Sequence, residues 1–400
     1  MTEDADPSSR ARPADWAPSE AGGGRSVRRL AEYQRLREEC PVAWSDEHGG
    51  YWSLTRYPDV REAARQPRTF ASGAPIIAWP DFDNQIPISL NPPEHATYRR
   101  LLNRYVSKDA MARLEPTIRG FVVEDLGPLL AAGEGDIVTG LCQPLPARAL
   151  AALMNLPDSA HVEFVEQFRG FERVGWDPEK INAVIGQMFE SAVSEVVAER
   201  RARPLDPETD MLSGVLAAEI DGQPLSEEKV VHIGVQMFVA GHATTADALA
   251  TTMYRLATNP DIQMELRRHP EMIPTAVEEF LRIETPLQSI ARTAVHDVEL
   301  HGRTIRAGDR VALHYAAADL DPETFEHPSA CIIDRSPNPH LAFGAGAHLC
   351  YGAPLARLEM RLAMEEILAR TSEIRLAGAG TETSGLMRGF TSLPLRFSTP

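Results

Sequence analysis

The 400-residue sequence predicts a mainly α fold with minor β structure (α+β), a helix-rich single domain crossed by a long central helix and edged by small β-sheets. Apolar residues recur at helical spacing along most of the chain. One apolar-rich run, from Ser226 to about Ala257 between Pro224 and Pro260, is long enough to cross a whole domain. Short β-like pieces gather in two places late in the sequence, between 285 and 315 and near the C-terminus.

Residues 1 to about 25 are rich in Pro, Ser, Ala and Gly and end in AGGGR, so they read as a mobile tail ahead of a domain over 26–400. SVRRLAEYQRLREEC has the helical period, and PVAWSDEHGGYWSLTRY reads as a hairpin turning at His48-Gly49-Gly50. Pro92 and Pro93 suit the start of a helix through HATYRRLLNRYVS. Helices are expected over roughly 108–132, 141–155, 158–173 and 178–203. Ser226 can cap the long helix, with Glu227 and Glu228 complementing the dipole of its first turn. Further helices are expected at about 273–284 and 351–371.

Composition narrows the function. A net charge of −17 argues against nucleic acid and against an anionic membrane surface as general partners. No apolar run is long enough to span a bilayer, and MTEDADPSSR has neither the basic start nor the apolar core of a signal peptide, so a cytoplasmic location is expected. The four cysteines, Cys40, Cys142, Cys331 and Cys350, form no C-x-x-C pair, which disfavours a structural zinc site.

Cys350 stands apart. It lies in LAFGAGAHLCYGAPLARLE, where dense glycines suit a backbone that turns sharply or approaches something closely. A buried thiol, a nucleophile, a redox switch, a zinc ligand and a haem-iron ligand all begin from such a residue. A nucleophile needs a base whose partners are not identifiable here, and a switch favours a resolving cysteine that is missing nearby. A haem thiolate needs a shielded sulfur, N–H groups turned toward it, and small residues beside the macrocycle. Phe343 is the shield, Gly344, Gly346 and Gly352 the turns, and the following helix points its positive end at the sulfur.

FGAGAHLCYG resembles the haem-binding loop of the cytochrome P-450 superfamily, F-G-x-G-x-H-x-C-x-G in many bacterial members, with every fixed position filled. The resemblance extends in order over nearly all of the chain after the tail. EEFLR is similar to the family's E-x-x-R, which implies a buried Glu279–Arg282 pair completed by Arg335. HATYRR matches H-x-x-x-R, implying that His95 and Arg99 reach haem propionates; the resemblance gives Arg292, His340 and His348 the same role. In MFVAGHATTADAL, Ala240, Gly241, Thr244 and Thr245 match the family's oxygen groove, but Ala243 stands where Asp or Glu is usual. Two readings stay open: Asp247, one turn on, partly replaces the acid through one or two waters, or Asp247 is structural and substrate or bulk water carries the protons.

The resemblance implies one haem b bound through Cys350, together with Phe343, Gly352 and Ala240, and a bacterial monooxygenase acting with O2 on an apolar small molecule. It implies electrons from NAD(P)H through a separate ferredoxin and ferredoxin reductase, and the basic run Arg99, Arg100, Arg104, Lys108 and Arg113 is the surface expected to meet the ferredoxin. Ile76, Trp79, Val239, Ile290 and Leu386, with Phe164, Phe168 and Trp176, are expected to wall the cavity, and Gln288 and Ser289 to orient a polar group. Two other classes remain: a haem-thiolate peroxygenase or oxidative coupling enzyme, and a non-catalytic haem or ligand-binding protein.

Overall fold

The central helix arises where it was expected, and the other elements are arranged about it. The computed structural model describes residues 14–18, 27–82, 85–166, 180, 190–383 and 385–399. In chain order, α1 (Val27–Glu39) leads into β1 (Val42–Ser45) and β2 (Tyr51–Leu54), an antiparallel hairpin with Trp44 opposite Trp52. At the hairpin turn Gly50 has φ +95°, and a Cβ there would fall on the Trp44 ring. A helix not read from the sequence, α2 (Tyr57–Arg65), and the two-residue β3 (Phe70–Ala71) follow. The next elements are α3 (Glu94–Asn103), α4 (Lys108–Ala132) and β4 (Glu134–Asp136). The ends of α4 are defined chemically: Ser107 Oγ accepts from the Ala110 N–H, and Gly133 at φ +75° donates to the Leu129 and Leu130 carbonyls.

α5 (Pro144–Leu153) is shorter than expected because Val138–Cys142 form a π turn before it. The expected helices over 158–173 and 178–203 lie partly outside the described residues; residues 160–166 and α6 (Ser191–Ala202) are helical. After α7 (Met211–Leu216) comes α8 (Glu227–Thr258), whose 32 residues span about 48 Å at the α-helical rise. Ser226 Oγ accepts from the Lys229 N–H and caps it. α9 (Pro260–Arg268), α10 (Ile273–Glu284) and α11 (Ala353–Arg370) pack beside it.

The strands between α10 and α11 are β5 (Ile290–Ala294), β6 (Val298–Leu300), β7 (Arg303–Ile305) and β8 (Arg310–Leu313). The main sheet has the order β1-β2-β8-β5-β3, with only β2 and β8 parallel, and its register sets Arg292 opposite Val311. A second sheet, β9 (Glu373–Leu376), β11 (Pro394–Ser398) and β4, closes the C-terminus, with β10 (Phe390–Ser392) in the preceding hairpin.

Of the stretch expected to be a mobile tail, residues 14–18 are described. Trp16 is buried beside Tyr33, Leu36 and His314, and Asp15 pairs with Arg303 at 3.0 Å while accepting from the Trp44 N–H. An indole and a carboxylate gave this short stretch contacts that its Pro- and Ala-rich surroundings did not suggest.

Beneath the Cys350 loop, Glu279 and Arg282 are fully buried and joined by two bonds of 2.8 Å. Arg335 adds a third at 3.0 Å, as the resemblance implied, and Asn338 and the Ile332 N–H also donate to Glu279. Arg282 spends its remaining donors on the carbonyls of Asp319, Pro328 and Ala330. Removing one charge from such a set leaves the other buried and uncompensated, so Glu279→Gln should destabilise the protein by about 3–5 kcal/mol. Urea unfolding measures this, and an unchanged midpoint would show that the cluster does not support the fold.

Candidate active site

The loop carrying Cys350 is fixed by its own backbone. Gly344 donates to the Leu341 carbonyl at 2.7 Å, and the Cys350 N–H to the Phe343 carbonyl at 2.9 Å. Gly346 has φ +71°, and a Cβ on it would stand 2.7 Å from the Ala64 carbonyl oxygen, so α2 lies directly against the loop. α11 begins at Ala353, which aims the N–H groups of Gly352 and Ala353 at the sulfur. Although Cys350 itself is exposed, desolvation by the atoms around it raises its thiol above the ordinary range; the Gly352 N–H, the Arg99 charge and the Ala353 N–H oppose that rise by favouring thiolate. Burial also raises the Cys142 thiol, with Asp136 and Asp247 adding to the rise, and raises Cys331 to about 11 against the opposing charges of Arg255 and Arg282. Phe343 is held under the Arg357 guanidinium, 4.4 Å from its ring.

Beside this loop four basic side chains converge. The His95 and His348 rings lie 3.9 Å apart at 36°. Burial, then the charges of Arg99 and Arg292, lowers His95 to about 4; His348 is lowered by burial and by Arg292, His95 and Arg99 in turn. Arg292 is buried on β5, and Arg99 donates to the Leu349 and Ala347 carbonyls of the cysteine loop at 2.8 and 3.2 Å. His95 Nε2 is buried with no hydrogen-bond partner among the described residues. The charges acting on both histidines are thus positive, a setting suited to an anionic ligand. Two carboxylates on the edge of a macrocycle whose iron meets Cys350 satisfy that demand, so the residues present fit a haem.

Other expected site residues are placed elsewhere. His340 Nε2 lies 3.0 Å from Glu278, and burial, which raises Glu278, is overcome by hydrogen bonds from Arg357 and His340 that hold its carboxyl down at about 2. The imidazole expected at a propionate is therefore committed to a carboxylate of α10. Gly241, expected in the oxygen groove, is absent from the cavity wall and faces Leu150 of α5, whose Cδ2 would lie 2.9 Å from a Cβ. Its role is close helix packing. Gln288 is buried against Tyr33 and the Thr285 carbonyl, away from the cavity, and Ser289 is likewise absent from its wall. Phe164 stacks on Phe238 at 3.9 Å, while Phe168 and Trp176 lie outside the described residues.

Against α8 lies a cavity of about 220 Å³. Ile76, Trp79, Val239, Ala240, Ile290 and Leu386 form its apolar wall as expected, and Ala243, Thr244 and Asp247 line it from the helix. Thr244 Oγ1 donates to the Ala240 carbonyl at 2.7 Å. Asp247 is buried, packed so closely on Gly389 that no Cβ would fit there. Sequence reasoning missed the polar wall formed by Gln143 and His242, joined by the His242 Nε2–Gln143 carbonyl bond of 2.9 Å. Gln143 follows the π turn, a local geometry without a composition signal. Among the described residues the lining holds no Lys or Arg.

The comparisons agree with this geometry. Residues 141–372 match the family profile described as Cytochrome P450. The chain is 32% identical over 371 residues to a steroid C26-monooxygenase of Mycolicibacterium smegmatis, covering 88% of this chain and 86% of that one. It is 33% identical to the mycinamicin IV hydroxylase/epoxidase of Micromonospora griseorubida, covering 91% and 94%. A mutant of P450 EryK in complex with erythromycin B superposes with a TM-score of 0.84 at 29% identity, covering 93% and 96%. CYP109E1 from Bacillus megaterium with testosterone gives 0.81 at 29% identity, covering 92% and 98%. The fold and the thiolate loop define a haem-thiolate monooxygenase. The chain belongs to the cytochrome P-450 family, in its bacterial type. Among the described residues no helix is long and apolar enough to cross a membrane.

A charge-assisted hydrogen bond lost from a buried setting is worth ~1.5–3 kcal/mol. The double variant Arg99→Ala/Arg292→Ala should therefore lose most of its haem on purification while its far-ultraviolet circular dichroism stays helical. Full haem occupancy would show that the cluster does not hold the cofactor.

Proposed function

We propose that this monooxygenase hydroxylates or epoxidises an apolar small molecule, holds haem b through Cys350, and takes NAD(P)H electrons from a separate ferredoxin and ferredoxin reductase. The observation that carries the reading is the apolar cavity built against the Thr244 face of α8, lined by residues from five separate parts of the chain. A bound haem supplies the redox chemistry by which O2 is activated. The protein's own part is to position the substrate, exclude water and manage protons. Ile76, Trp79, Val239, Ile290 and Leu386 present apolar surface to the substrate, and Gln143 and His242 make one wall more polar. Burial lowers the His242 ring to about 4, so it meets substrate as a neutral group near neutral pH.

Thr244 lines the cavity, and its hydroxyl, oriented by donating to the Ala240 carbonyl, would hold a proton for the chemistry there. Ala243 has no proton to give. Asp247, on the same helix and lining the same cavity, takes that role through water in our reading. Electrons enter beside α3 and α4, where Arg100, Arg104, Lys108 and Arg113 are exposed on an otherwise acidic protein. Arg99, bonded to the cysteine-loop carbonyls, links this patch to Cys350.

Ala243 also favours a second reading, oxygenation driven by hydrogen peroxide, because peroxide arrives with its protons. The test is product formed per NAD(P)H consumed, with ferredoxin and reductase, on a substrate selected by its spectral shift. Asp247→Asn should lower this coupling and raise peroxide release, and Ala243→Asp should restore part of the loss. Unchanged coupling in Asp247→Asn beside a collapse in Thr244→Ala removes Asp247 from the relay. Greater product with hydrogen peroxide than with ferredoxin selects the second reading.

A further inference from the structure

We infer that Ser72 is the positioning residue for His348, and that Asn91 ties this pair to the loop roofing the substrate cavity, so that haem seating and cavity shape are coupled. The inference rests on the haem reading above. Residues 72–82 and 85–91 form no α-helix or strand and bring Pro75, Ile76, Trp79, Phe82 and Ile88 to the cavity. A loop of this length within a compact domain commonly serves binding.

Its neck is closed by one side chain. The Ser72 N–H donates to Asn91 Oδ1 at 2.8 Å, and Asn91 Nδ2 donates back to the Ser72 carbonyl at 2.9 Å. The asparagine amide thus imitates a partner backbone, exchanging both bonds with one residue. The Asn91 carbonyl accepts from the His95 N–H at 3.0 Å, which joins the neck to the first turn of α3. Both ends of the loop are thereby tied to a histidine of the basic cluster.

The Ser72 side chain makes the second tie. Its Oγ lies 3.0 Å from His348 Nε2, and the serine is buried at 8% exposure. With Nε2 occupied, Nδ1 is the ring atom left for a carboxylate, and the bond to Ser72 fixes which way that atom faces. His348 also lies against His95, so one hydroxyl orients a ring shared between the cysteine loop and α3. The far part of the loop has separate anchors: Arg310 donates to the Ile76 carbonyl at 2.8 Å, and the Ala291 N–H to Pro75 at 2.8 Å. Arg292, a member of the basic cluster, is the next residue. A ligand that tightens one end of this connected set must be tightened by the other in return.

Ser72→Ala is the informative variant because it removes the hydroxyl and keeps the backbone atoms that Asn91 holds. Haem transfer from the purified holoenzyme to an apomyoglobin acceptor reads the seating, and hydrogen exchange over residues 73–82 reads the loop. Ser72→Ala should speed transfer about five-fold, the size expected of one lost hydrogen bond, and should hasten exchange in the loop. Ser72→Thr, which keeps a hydroxyl, should behave like the parent. His348→Ala should also speed transfer, and adding Ser72→Ala to it should bring no further change. Parent-like transfer in Ser72→Ala, unaltered loop exchange, or an undiminished effect in the His348→Ala background overturns the inference. Parent-like transfer in His348→Ala also removes that histidine's role in holding haem, which separates failure of the earlier reading from failure of this one.

Discussion

The carboxylate of Glu279, shared between Arg282 and Arg335 with no access to water, is the constraint on which the rest depends. Burying three charged groups is expensive, and only complete pairing repays it. Here the pairing is complete on the acid: Glu279 receives both guanidiniums, an amide and a backbone N–H. Because Arg282 also holds carbonyls of three residues between 319 and 330, a helix and the approach to the cysteine loop are locked as one body. The loop then has few ways to lie. Gly346 must fit under α2, and Cys350 must fall at the start of α11, where two N–H groups meet its sulfur.

That rigidity is what would fit one cysteine of four to be a ligand. Cys142 and Cys331 are raised by burial, which favours the thiol form at both. At the exposed Cys350 the desolvation is opposed by a helix start and by Arg99, which itself grips the loop carbonyls. Arg99 therefore acts twice, as a charge that favours thiolate and as a strut that fixes the loop. Gly241 lets Leu150 of α5 approach α8 closely.

What was legible in the sequence was local. The cysteine loop is one continuous stretch, its glycines dictated by sharp turns, and the long helix announces itself by a serine cap and two bounding prolines. Glu279 and Arg282 share a helix face, so only Arg335 had to be supplied by resemblance. What was hidden depends on partners far away in the chain. His340 looked like one more ligand of the basic cluster until Glu278 took it. Gln288 looked like a pocket residue but is spent on Tyr33 and Thr285. Trp16 anchors a stretch whose composition suggested mobility, and Ser72 and Asn91 carry no period or motif at all. Spacing along one element could be read; the assignment of each polar side chain among competing partners could not.

The central claim is that Cys350, as thiolate, is the axial ligand of a haem iron. The most direct measurement is the absorption spectrum of the reduced holoenzyme under carbon monoxide, compared with that of Cys350→Ala and Cys142→Ala. The account predicts the strongly red-shifted Soret band of thiolate ligation in the parent and in Cys142→Ala, and its loss in Cys350→Ala. A red-shifted band that survives in Cys350→Ala, or one missing from the haem-loaded parent, would contradict it.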